Sequence, residues 1–66
     1  MNISKSIKVA LAIKGMSQKD LADRCGYDQS HISRAISINK ATSESLKRLC
    51  KGLDMKVSEF IALGEE

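Results

Sequence analysis

The chain has 66 residues, 42% hydrophobic and 29% charged, with a net charge of +3 and no proline. A chain this short is one domain with a small core, since it buries only about 60% of the surface its unfolded form exposes. The longest apolar run, Val9–Ile13, is too short for a membrane span or a signal-peptide core, and two cysteines without CxxC spacing plus one histidine are too few for a zinc site.

The first helix is predicted over about Ser4–Lys14, stopped by Gly15, with Ile3, Ile7, Ala10 and Leu11 on one apolar face. Val9 and Ile13 form a second, narrower stripe. It serves either as extra packing against the C-terminal helix or as a patch facing a partner. The second helix opens at Ser17, whose side chain can cap free N–H groups while Asp20, three residues on, returns the bond. Leu21, Ala22 and Cys25 supply its buried face before Gly26.

A third helix follows Asp28, another N-cap residue, and turns Ile32, Ala35 and Ile36 inward. The fourth starts near Thr42 and shows Leu46, Leu49, Cys50 and Leu53 at i, i+3, i+4 and i+7. The last runs from about Val57 to Leu63 and buries Val57, Phe60 and Ile61. Met1, Met16 and Met55 read as core filler or terminus. Cys25 and Cys50, each at an apolar helical position, are expected as reduced, buried thiols in a cytoplasmic protein. No stretch alternates as a strand would, and the only aromatics are Tyr27 and Phe60. The expectation is an all-α, compact five-helix domain occupying residues 1–66.

The informative segment is Ser17–Ile36. Ala22 is small where two helices cross steeply, Gly26 can take the left-handed conformation of a tight turn, and Tyr27 and Ile32 lock the second helix over the first. With those positions inward, the outward face of the third helix keeps Gln29, Ser30, Ser33 and Arg34. Amide, hydroxyl and guanidinium groups are the chemistry that reads base edges in a major groove. Any solvent-facing helix is polar, but here Asp28 is the only acid between Cys25 and Lys40, and it sits at the cap. The basic excess of the chain is compatible with a polyanion without pointing to one.

The Ser-Gln-x-x-Leu-Ala-x-x-x-Gly run at Ser17–Gly26 resembles the helix-turn-helix of the lambdoid phage repressor and Cro proteins, within the wider class of Xre-type bacterial regulators. Gln29 to Ile36 is similar to a Cro recognition helix, and the likeness extends through Leu46, Leu49, Cys50 and Leu53 to Phe60. The resemblance implies a lambda-repressor-like DNA-binding domain. It gives Gln29, Ser30, Ser33 and Arg34 contacts to bases, and Ser17, Gln18, His31, Asn39, Lys40 and Thr42 contacts to the DNA backbone. Phosphate contacts would set affinity and register, base contacts the sequence preference.

Two departures from relatives stand out. Leu11 and Ile36 occupy positions where many carry a buried Arg–Glu pair, an exchange that is often neutral or stabilising by about 1–4 kcal/mol. Ile38-Asn39 stands where a glycine is usual, and Asn39 tolerates the left-handed conformation that would end the helix there.

No catalytic triad, glycine-rich phosphate loop or paired carboxylates accompany the single histidine, so a non-enzyme without cofactor, metal or small-molecule substrate is expected. The basic face of the fourth helix, Lys47, Arg48 and Lys51, reads as solvated. The expected function is a transcriptional repressor of phage or prophage type that binds a pseudo-palindromic operator on double-stranded DNA as a homodimer. Its dimer surface is expected at Val57, Phe60, Ile61 and Leu63, with the Val9/Ile13 stripe. The alternatives are an antitoxin or anti-repressor that holds a protein partner, or a restriction–modification controller.

Overall fold

Each helix boundary has a local chemical cause. The structure, a computed structural model, describes residues 2–65; Met1 and Glu66 lie outside the described residues. Five helices follow one another: α1 (Ile3–Lys14), α2 (Gln18–Cys25), α3 (Gln29–Ile38), α4 (Ser43–Leu53) and α5 (Val57–Leu63). Asn2 starts α1, its Oδ1 accepting the Lys5 N–H at 3.0 Å. The helix therefore begins at Ile3, one residue before the sequence suggested.

Ser17 and Asp20 form a complete capping box: the Asp20 N–H donates to Ser17 Oγ and the Ser17 N–H to Asp20 Oδ2, both at 3.1 Å. Thr42 caps α4 in the same way, accepting the Ser45 N–H at 3.1 Å. Gly15 (φ 64°) and Gly26 (φ 75°) end α1 and α2 in the left-handed region, where a side chain is strained. Asn39 ends α3 there too, at φ 57°, so α3 runs two residues beyond Ile36.

Asp28 does not fulfil its expected role. It has the extended backbone of a cap residue, but its side chain accepts no helix N–H. The reason is local: the His31 N–H that it would take is bonded to the Asp28 backbone carbonyl at 2.9 Å.

The core draws on every helix: Ile3, Ile7, Ala10 and Leu11 from α1, Leu21 and Ala22 from α2, Ile32 and Ala35 from α3, Leu49, Cys50 and Leu53 from α4, and Phe60 from α5. Ile36, Met16 and Met55 pack against it half-buried, so Leu11 and Ile36 both belong to an apolar interior. Phe60 is buried, as its place on α5 predicts, and this removes it from the expected dimer surface. It is 0% exposed, so it fills this core and offers no surface to a second copy.

α5 docks on the start of α1 so tightly that a Cβ on Gly64 would fall on the Asn2 carbonyl oxygen and the Ser6 hydroxyl. Ser6 is fully buried there, and its Oγ has no hydrogen-bond partner among the described residues. An unpaired buried hydroxyl carries its desolvation cost uncompensated, so Ser6→Ala should stabilise the domain by about 1 kcal/mol. Urea unfolding checks this. A lower midpoint at constant slope would show that the hydroxyl contributes to stability, and an unchanged one that its burial carries no net cost.

The capping box also makes a pH prediction. The hydrogen bonds that Asp20 accepts, from the Ser17 backbone first and the Ser17 side chain second, hold its carboxyl below the ordinary 3.8. A lowered folded value means the folded state binds fewer protons. The stabilisation is therefore full above 3.8 and is lost as pH falls through the folded value. Asp20→Asn, which can still accept at the cap, should flatten this part of an acid titration of stability. An unaltered acid limb would show that the box does not contribute to it.

Candidate nucleic-acid interface

α2 and α3 meet across the three-residue turn Gly26–Asp28, and one side-chain bond ties them on the exposed side. Ser33 Oγ donates to Gln18 Oε1 at 2.9 Å. The Gln18 side-chain amino group is left as a donor at the start of α2, beside the free N–H groups that favour an anion. Ser33 has committed its proton to Gln18, so toward a base it retains acceptor capacity only. Gln18 thus links the helix end suited to phosphate with the face suited to bases, across a sequence gap that no local pattern reveals.

Gln29, Ser30, Ser33 and Arg34 are all exposed, and Ser37, which sequence reasoning passed over, is exposed with them. Ser37 lies four residues after Ser33 and three after Arg34, so helical periodicity alone places it on the same face. The end of α3 is held by α1: the Ser4 N–H donates to Asn39 Oδ1 at 2.9 Å, and Ser4 Oγ donates to the Ile36 carbonyl. This leaves Asn39 with its amino group, a donor suited to phosphate. Arg34, Lys40 and Thr42 border one groove between α3 and α4. Ser17 and Thr42 use their oxygens as cap acceptors; Ser17 also donates its hydroxyl proton to the Asp20 carboxyl, whereas Thr42 keeps its proton for donation.

His31 is exposed at its edge but braced. Its Nε2 lies 3.1 Å from Ser45 Oγ, and its ring stacks on Tyr27 with centroids 4.0 Å apart. Only its other ring nitrogen is free to reach a phosphate. Arg48 lies over the Tyr27 ring, 5.2 Å from its centroid, and pairs with Glu44 at 3.4 Å. Lys47, Arg48 and Lys51 are all exposed, as a solvated face requires, and Arg48 in addition braces the α2–α3 turn.

The cysteines stand apart from this face. Cys50 is buried, whereas Cys25 is only half-buried, donating to the Arg48 carbonyl at 3.3 Å. Burial pushes both thiols up, with Arg48 opposing the shift at Cys25 and the nearby Cys25 adding to it at Cys50. Both are free thiols. Around α5, Val57 and Leu63 pack half-buried against the core, and Ile61 is half-buried. Ile13 is 61% exposed, so it does not serve as core packing.

Residues 7–60 match a family model described as helix-turn-helix. The chain belongs to this family, the Cro and repressor-like type. It is a DNA-binding transcription regulator, and the match covers α2, the turn and α3 without a break. No curated protein matches the chain. Among the described residues, no helix is long and apolar enough to cross a membrane.

Proposed function

We propose that this regulator is a phage- or prophage-type repressor that binds a pseudo-palindromic operator as a homodimer. In this reading Gln29, Ser30, Ser33 and Arg34, extended by Ser37, read base edges. Ser17, Gln18, His31, Asn39, Lys40 and Thr42 hold the phosphates on either side. The observation that carries it is the exposed face of α3, whose amide, hydroxyl and guanidinium groups lie on a segment with Asp28 as the sole acid between Cys25 and Lys40.

One recognition helix spans only a few base pairs. Useful specificity therefore needs two half-sites about 34 Å apart. For the second copy the surface that remains, once Phe60 is assigned to the core, is Ile61 with the flanks of Val57 and Leu63, joined by Val9 and exposed Ile13.

The test is selection of bound sites from a random-sequence duplex pool, followed by footprinting. The expected product is an inverted repeat with half-sites about one helical turn apart. Ile61→Lys should remain folded, sediment as a monomer and lose binding to the paired site. Recovery of single, unpaired sites by a protein that stays monomeric would remove the dimer. Failure of the folded protein to enrich any sequence would remove the operator.

A further inference from the structure

The flank of α3 that turns toward α4 has an apolar surface that neither the core nor base reading explains. Ile38 is 51% exposed at the last turn of α3, one turn beyond Arg34. With Ala35 and Ala41 it supplies the apolar lining of a groove of about 200 Å³ between the end of α3 and the start of α4, where His31 and Ser45, already bonded to each other, complete the wall. Arg34 and Lys40 stand on the rim, Thr42 marks the N-terminus of α4, and among the described residues no carboxylate lines the groove. The groove runs beside the crest of α3 formed by Ser30, Ser33 and Ser37. Whatever occupies it therefore lies next to the bases.

A DNA strand repeats anion, apolar sugar, anion. A groove with Lys40 at one end of its apolar lining matches one phosphate and the sugar beside it, which leaves Arg34 at the other end for the bases. We propose that this groove seats one deoxyribose of the DNA backbone, the apolar lining of Ile38, Ala35 and Ala41 packing against the sugar's C–H face. Lys40 and the α4 N-terminus at Thr42 hold the phosphate on one side. Arg34, reaching from the rim toward the bases, closes the other. The seat also discriminates between sugars, because a 2′-hydroxyl pressed onto an aliphatic lining loses its water without gaining a partner. This rests on the reading of the chain as a duplex-DNA binder.

The experiment uses the site that the wild-type protein enriches from a random duplex pool, a mixed-sequence duplex, and versions of the enriched site carrying single ribonucleotides. Ile38→Ser should weaken binding to the enriched and mixed duplexes alike, by about five- to tenfold, as removal of buried apolar area does. The salt slope and the enriched sequence should not change, and Ile38→Leu should restore affinity. With wild-type protein, one ribonucleotide position per half-site should weaken binding, and Ile38→Ser should be indifferent to it.

The ribonucleotide series needs no variant, so it stands even where Ile38→Ser proves unstable. Equal affinity across that series would overturn the sugar seat while leaving DNA binding intact. So would an Ile38→Ser protein whose enriched sequence changes while its affinity for mixed duplex does not, since that places Ile38 on a base. Failure of the wild-type protein to bind any duplex in a salt-dependent way would overturn the DNA reading itself, and the seat with it.

Discussion

Phe60→Ala is expected to leave much of the chain unfolded at room temperature. Phe60 is among the largest fully buried side chains and the only buried residue that α5 gives to the hydrophobic core. Truncating a buried phenylalanine costs about 3–5 kcal/mol through lost transfer energy and the cavity left behind. A domain of this length has about 3–10 kcal/mol in total, so little margin remains. Loss of far-UV helical signal, or a large fall in the urea midpoint, is the expected readout. The variant also separates two roles for α5, because an interface residue would give a folded monomer of normal stability. That result would place Phe60 at the surface. The adjacent Ile61→Lys should show the reverse pattern, with helical signal retained and association lost.

Phe60 also shows what a sequence reveals and what it conceals. Spacing along α5 marks Val57, Phe60 and Ile61 as apolar without saying which of them a neighbouring helix covers. That depends on how α5 lies against α1, and the close approach at Gly64 decides it. Boundaries were more legible, because their causes are local. Gly15, Gly26 and Asn39 stop helices through left-handed backbone, and Ser17 with Asp20 starts one through bonds three residues apart.

The same locality misleads at Asp28, where the residue type is right for a cap and the required N–H is already taken by a backbone carbonyl. The side-chain ties of the interface were not legible at all. Ser33 to Gln18, Ser4 to Asn39 and His31 to Ser45 join residues 14 to 35 positions apart. No periodicity encodes such pairs, since each exists only once the helices have packed. Of the proposed reading face, four members follow from what remains after the inward positions are assigned. Ser37 follows from extending the helix to its true end.

The division of labour across that face leads to a second large effect. Arg34→Ala should cost about 1–3 kcal/mol of operator binding and relax preference at one base position, while leaving affinity for unrelated DNA nearly intact. Lys40→Ala should weaken binding to every sequence and lower the salt slope by about 1, because a protein that neutralises one fewer phosphate releases about one fewer counterion. The two side chains share a groove rim, so the contrast does not come from gross position. It comes from geometry: the Arg34 fork is rigid and planar, and it projects from the helix that carries the reading face. Lys40 is a flexible point charge just past that helix. The measurement is affinity for operator and mixed-sequence duplex across a salt series. Were Arg34→Ala to lower both affinities equally and reduce the slope, the guanidinium would belong to the phosphates. Base reading would then fall to Gln29, Ser30, Ser33 and Ser37, three of which are short hydroxyls with reach only to bases pressed close against α3.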